Sequence, residues 1–177
     1  MKRVFIFFIA ILFLLFGCRA DVTSDEVDLT KQRTQIEMPD NMPDDFHFSV
    51  KFGIYKNNEI NTFDHTVTKD LIEDGTVTTD LTLSNEEMEE IYGKMKALNI
   101  MENKNLTADT NCMQEPHEED EWIISLNGES IRHYYTEKNC ELTYDAKQLM
   151  ELRNDIFRIV KSKDEYKDLP EASGGYD

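Results

Sequence analysis

The chain has 177 residues, of which 19 are Lys or Arg and 36 are Asp or Glu, so its formal net charge at pH 7 is −17. Such a charge repels nucleic acids and anionic lipid headgroups, which disfavours a role in binding either of them. Only seven glycines are present, too few to favour the glycine-rich loops that hold phosphate groups.

The first residues have the layout of a secretory signal peptide. Lys2 and Arg3 give a positive start, and an uninterrupted apolar run follows from Val4 to Phe16. As a helix, this run would span roughly 20 Å, less than the hydrocarbon core of about 30 Å. A permanent transmembrane helix is therefore the weaker alternative, and a buried core helix is weaker still because the run has no polar face. We expect residues 1–17 to be a signal peptide.

The apolar run ends in Leu15-Phe16-Gly17-Cys18, which resembles the lipobox of bacterial lipoproteins. The resemblance implies cleavage before Cys18 and a diacylglyceryl group attached to its sulfur. Two acyl chains anchor a protein stably, whereas one chain binds a membrane only marginally. We therefore expect the protein to lie on the extracytoplasmic face of a cell membrane, held there by lipid on Cys18.

Residues 18–45 are polar and acidic, with Pro39 and Pro43 near the end of the segment. No helical or strand periodicity lasts through them. This composition indicates a flexible tether between the lipid and a folded domain.

Three strands are predicted next. Apolar and polar residues alternate from Phe46 to Ile54, which is typical of a half-buried strand. A turn at Asn57-Asn58 leads to a weaker strand over residues 61–69, and Asp74-Gly75 provides the next turn. The third strand carries its inward residues at alternate positions: Val77, Thr79, Leu81 and Leu83. Short turns between consecutive strands favour an antiparallel meander.

A helix follows, and its start is marked by a capping box. Ser84 can cap the helix, and Glu87 is placed three residues later to complete the box. Apolar residues then recur at helical spacing and predict a buried stripe: Met88, Ile91, Tyr92, Met95 and Leu98.

The second half of the chain predicts a hairpin and a final helix. A long polar connection over residues 99–120 precedes two β-rich runs, 122–126 and 131–135, which are separated by Asn127-Gly128. Asn-Gly is a strong hairpin signal because both residues tolerate positive φ. A helix is expected over residues 144–161, with a buried stripe of Leu149, Leu152, Ile156 and Val160. We expect the tail, 164–177, to be disordered.

The predicted order is therefore β-β-β-α-β-β-α. It favours an α+β fold in which two helices pack on one face of an antiparallel sheet of about five strands. Residues 46–163 would form this single domain.

Cys112 and Cys140 are the only cysteines after Cys18. Two cysteines in an exported domain favour a disulfide, because the exterior of the cell is oxidising. Two free thiols, or half of a metal site, are the alternatives. A metal site would normally show closer Cys or His spacing than this chain does.

The run His117-Glu118-Glu119-Asp120 is the best candidate for binding a divalent cation. Adjacent residues of an extended chain cannot all face one ion, so a solvated acidic loop is the simpler interpretation. The sequence has no HExxH motif, no glycine-flanked serine elbow and no nucleotide-binding fingerprint, so no catalytic residue, metal ligand or cofactor is assigned.

The domain resembles the small uncharacterised lipoproteins of Gram-positive bacteria, a resemblance that implies no activity. Three functions are therefore considered. The leading hypothesis is a non-enzymatic binding or interaction module with a protein partner in the cell envelope and no nucleic acid. The alternatives are a lipoprotein that binds divalent cations, and an envelope enzyme built from dispersed residues such as His117, His133 and nearby carboxylates.

Overall fold

Six strands form one open antiparallel sheet in the computed structural model, which describes residues 37–176. The strands are β1 (His47–Phe52), β2 (Asn58–Asn61), β3 (Thr66–Ile72), β4 (Gly75–Asp80), β5 (Glu119–Leu126) and β6 (Glu129–Thr136). Their order across the sheet is β4-β3-β2-β1-β5-β6. The first four strands form a meander, and β5 returns to pair with β1.

The helices are α1 (Asn85–Ala97), α2 (Tyr144–Ser162) and the short α3 (Asp164–Lys167). The capping box predicted at the start of α1 is confirmed, since the Ser84 side chain accepts from the Glu87 amide and the Glu87 side chain accepts from the Ser84 amide. The buried faces of α1 and α2 share one core with the inward residues of the sheet. The central members of this core are Phe48, Val50, Ile91, Met95, Trp122, Ile124, Leu149 and Ile156.

The predicted α+β fold is confirmed, with six strands in place of about five. The strand predicted over residues 61–69 is divided by a turn between β2 and β3. The Asn61 side-chain oxygen accepts hydrogen bonds from the amides of Phe63 and Asp64, at 2.9 and 3.2 Å. These side-chain hydrogen bonds replace strand hydrogen bonds at this point, and the chain turns back on itself.

One predicted turn is displaced. The turn between β1 and β2 lies at Tyr55 and Lys56, whose φ angles are 57° and 56°, and Asn58 already belongs to β2. The hairpin turn at Asn127-Gly128 is confirmed, with φ angles of 52° and 75°.

The last residues of the expected tether pack against the fold. Met38 is buried, the Tyr92 hydroxyl donates to the Pro39 carbonyl at 2.7 Å, and Lys96 pairs with Asp40 at 2.6 Å. The flexible segment expected over residues 18–45 therefore does not extend through residues 38–40. Residues 18–36 lie outside the described part of the chain.

The tail also differs from the disorder expected for it. It begins with α3, and Ser173 then forms an isolated parallel bridge with Ile72. The Tyr176 hydroxyl donates to a carboxylate oxygen of Asp70 at 2.5 Å. These long-range contacts hold the tail against the end of β3.

None of the helices within residues 37–176 combines the length and apolar character needed to span a bilayer.

Candidate functional site

The face of the sheet opposite the helices carries mostly polar side chains. Residues paired in antiparallel strands point to the same side, so the strand register places one row of side chains across this face: Thr78, Thr68, Glu59, Lys51, Glu121 and Tyr134. The adjacent row contains Asp80, Thr66, Asn61, Ser49, Ile123 and Arg132. We call these two rows the open face.

Tyr134 is held in place by charged groups at one side of the open face. Its hydroxyl donates to Glu119 at 2.5 Å, and the Lys56 ammonium lies 5.2 Å from the centre of its ring. Glu121 pairs with Lys56 at 3.3 Å and with Arg132 at 3.0 Å. Partial burial and the hydrogen bond to Glu119 raise the pKa of Tyr134 to about 12. The ring is thus ordered before any partner arrives, although 45% of the residue is exposed.

Two more aromatic side chains are exposed in turns that border the open face. Phe63 lies in the turn between β2 and β3 and is 40% exposed. Tyr55, in the turn between β1 and β2, is 73% exposed, and its ring packs against that of Tyr176 at 5.7 Å. Exposed aromatic side chains that are already ordered are the groups that most often contribute binding energy at protein interfaces.

The predicted pairing of Cys112 with Cys140 is present, with an S–S distance of 2.04 Å. Hydrogen bonds accompany it, since the Gln114 amide donates to the Lys138 carbonyl at 2.8 Å and the Gln114 side chain donates to the Glu137 carbonyl at 2.9 Å. The long connection before β5 is thereby attached to the segment between β6 and α2.

His117 contacts two carboxylates, Glu115 at 2.7 Å and Glu119 at 3.6 Å. The hydrogen bond from His117 lowers the pKa of Glu115. However, no group of three or more His, Cys, Asp or Glu side chains within residues 37–176 is placed to hold a metal ion. The acidic run that the sequence singled out is divided by the strand, because Asp120 points into the core and Glu119 points to the other side.

His133 belongs to the core. Its Nε2 lies 2.6 Å from the Ile100 carbonyl, and burial lowers its pKa. Across the part of the chain that the structure describes, the imidazoles of His117 and His133 share no contact. The structure therefore does not bring together the histidines named for an enzyme.

A buried ionic group that was not predicted from the sequence lies on the core side of β5. Asp120 is completely buried, accepts a hydrogen bond from the Tyr135 hydroxyl at 2.8 Å and pairs with Arg153 at 3.2 Å. Arg153 also reaches Glu118 at 3.1 Å. Burial raises the pKa of Asp120 to about 6 in spite of Arg153 and Tyr135. These groups are enclosed by the fold, which favours a structural role for them.

Cys18, the expected lipid attachment site, lies outside the described residues. No known protein family matches the chain, and no curated protein resembles it significantly.

Proposed function

We propose that this protein is a non-enzymatic interaction module, anchored to the extracytoplasmic face of a cell membrane by lipid on Cys18. The open face would bind a protein partner in the cell envelope. The observation that carries the binding part of the proposal is the polar side of the sheet opposite α1 and α2, where Tyr134 is both exposed and fixed by Lys56 and Glu119.

The location is supported by the sequence alone. The positive start, the apolar run and Leu15-Phe16-Gly17-Cys18 are in the order that lipoprotein signal peptides require. An intact-mass measurement on the native protein tests this part. We expect a mass lacking residues 1–17 and increased by acyl chains, and a product that still begins at Met1 would refute the anchor.

The charge of the chain selects the class of partner. Removal of residues 1–17, which contain Lys2 and Arg3 and no acidic residue, changes the net charge from −17 to −19. Such a negative charge attracts basic surfaces and increases their rate of encounter at low ionic strength. We therefore propose a partner with a basic surface patch. Its association should slow as salt increases, because the Debye length falls from about 10 Å at 0.1 M to about 3 Å at 1 M.

Photo-crosslinking in the native envelope tests the open face. A photoreactive amino acid replaces Tyr134 in one variant. In the matched control it replaces Tyr144, which is 76% exposed at the start of α2. We expect a crosslinked protein from position 134 that is absent at 144 and decreases at high salt.

Two results would refute this proposal. One is equal crosslinking from both positions, and the other is no crosslink from position 134 while the protein is folded and membrane-bound. Because the mass measurement is separate, the anchor and the binding surface can fail independently.

A further inference from the structure

A cavity of about 270 Å³ lies at the end of the sheet where β1 begins. Its apolar side is formed by Phe46, Leu81, Leu83 and Met88, and its polar side includes Asp44, His47 and His65. The volume is slightly below the range of about 300–1,000 Å³ that is usual for ligand pockets, so it suits a small molecule or one side chain.

One residue of the cavity lining, His47, has a side-chain nitrogen that the fold leaves unpaired. Within residues 37–176, Nδ1 of His47 is buried and has no hydrogen-bond partner. A buried polar group without a partner costs about 1–3 kcal/mol, so such atoms are uncommon in folded proteins. The ring of His47 packs against two other rings. Its centre lies 5.5 Å from the ring centre of Phe63 and 6.4 Å from that of His65.

Other polar groups around the cavity are already used inside the fold. The Thr62 hydroxyl both donates to the Phe48 carbonyl and accepts from the Phe48 amide, at 2.9 and 2.8 Å. The Asn85 side chain donates to Glu89 at 2.8 Å. Four groups therefore remain that can contact a ligand: the Asn85 side-chain oxygen, the two imidazoles and the exposed carboxylate of Asp44.

The charge around the cavity favours a cation. Asp44 contributes a carboxylate, an imidazole nitrogen that carries no proton is a hydrogen-bond acceptor, and no Lys or Arg is among the lining residues. The free backbone amides at the start of α1 would favour an anion. However, the capping box already satisfies two backbone amides at this helix end, and the carboxylates of Glu86 and Glu87 lie in the first turn. An apolar wall with an aromatic ring suits the stem of an organic cation.

We infer that this cavity binds a primary ammonium group on an apolar stem, with the stem against Phe46 and Leu83 and the ammonium between His47 and Asp44. A free amine and a lysine side chain share this chemistry. The inference does not depend on the open face, since the cavity is formed by residues outside the two rows that define it.

Methyl NMR of Met42 and Met88, both of which line the cavity, provides the measurement. Four probes are titrated into the folded protein: 2-phenylethylamine, the neutral 2-phenylethanol, the anionic 3-phenylpropionate, and Nα-acetyl-lysine N-methylamide. We expect 2-phenylethylamine to shift both methyl signals in a saturable way and at lower concentration than the neutral or anionic analogue. Comparison with the lysine derivative shows whether a free amine or a protein side chain is the better occupant.

Two variants test the contacts. Asp44→Asn should weaken amine binding about five-fold, as expected for one exposed charge pair, and His47→Gln should weaken it as well. Asp40→Asn is the matched control, because Asp40 pairs with Lys96 and does not line the cavity. Because Asp44 is exposed, its substitution should leave the amide spectrum folded.

The inference is wrong if 3-phenylpropionate binds as tightly as the amine, or if Asp44→Asn and Asp40→Asn bind the amine equally. It is also wrong if zinc chloride shifts the same methyl groups at lower concentration than the amine and both His47→Gln and His65→Gln abolish that shift. That result would identify a metal site instead.

Discussion

The carboxylate of Asp45 accepts a hydrogen bond from the backbone amide of Asn127, 82 residues later in the chain, at 2.8 Å. Its second oxygen accepts from the Gly128 amide at 2.9 Å. These amides belong to the turn between β5 and β6, and the bonds lower the pKa of Asp45. The segment just before β1 is therefore fixed to the turn of the β5–β6 hairpin, whose strand β5 is paired with β1.

Asp45→Ala should lower the urea midpoint of unfolding, because two turn amides lose their acceptor. Asp44→Ala is the control, since Asp44 is exposed and the turn amides donate to Asp45 instead. We also expect faster amide hydrogen exchange at Asn127 and Gly128 in the Asp45 variant alone. Equal midpoints for the two variants would show that the contact contributes nothing to stability.

The disulfide between Cys112 and Cys140 closes a loop with a sequence separation of 28. In the chain-entropy treatment, a loop of this length stabilises the fold by about 3.5 kcal/mol. The double variant Cys112→Ser/Cys140→Ser should lose an amount of this order in denaturant unfolding. A reducing agent should destabilise the unsubstituted protein equally and leave the double variant unchanged. A reductant effect that persists in the double variant would contradict this explanation.

Burial raises the pKa of Asp120 to about 6 in the folded protein, whereas an unperturbed Asp titrates near 4. The folded state therefore binds this proton more tightly than the unfolded chain does. The resulting stabilisation is complete below about pH 4 and is lost as the pH rises through about 6. Its size is on the order of 3 kcal/mol at 1.36 kcal/mol per pKa unit.

Asp120→Asn should abolish this pH dependence. His133 acts in the opposite direction, because burial lowers its pKa and its stabilisation is lost as the pH falls through its ordinary value near 6.5. The difference in unfolding free energy between variant and unsubstituted protein isolates Asp120, since His133 is common to both. We expect that difference to change between pH 4 and pH 7.5, and a constant difference would refute the assignment.

Gly174 has a φ of 86°, and a Cβ built there would lie 2.5 Å from an oxygen of Glu73. Gly174→Ala should therefore release the tail at a cost of about 1–2 kcal/mol from the left-handed backbone alone. Gly175→Ala is a matched control, because a Cβ there meets nothing within 4 Å. The measurement is hydrogen exchange at the Ser173 amide, which donates to the Leu71 carbonyl. Exchange should accelerate only in the Gly174 variant, and equal rates would show that the tail tolerates the change.

Local patterns predicted much of the fold. The alternation from Phe46 to Ile54, the capping box at Ser84 and the Asn127-Gly128 turn each depend on residues close together in the chain, and each is present in the structure. The division of β2 from β3 was missed because Asn61 forms the turn with its side chain. The sequence there contains neither Gly nor Pro, the usual signals of a turn.

The docked tail could not be predicted from local patterns, because its contacts join Tyr176 to Asp70 and Ser173 to Ile72 across about a hundred residues. The burial of Asp120 and Arg153, in contrast, could have been predicted from the sequence. Asp120 is in phase with Trp122 and Ile124 along the strand, and Arg153 lies one helical turn from both Leu149 and Ile156. Asp120 was interpreted as part of an acidic loop, so its alternation with the buried residues of the strand was not used.

The position of β1 between two paired strands determines how the sheet would respond to a pulling force. Residues 37–45 lead directly into β1, which pairs with β2 on one side and with β5 on the other. A pull on this segment along the strand would load both hydrogen-bonded ladders in shear, so that many bonds must break together. Asp45 adds a second point of attachment at the hairpin. A force in that direction would therefore have to break both ladders and the Asp45 hydrogen bonds before β1 could leave the sheet.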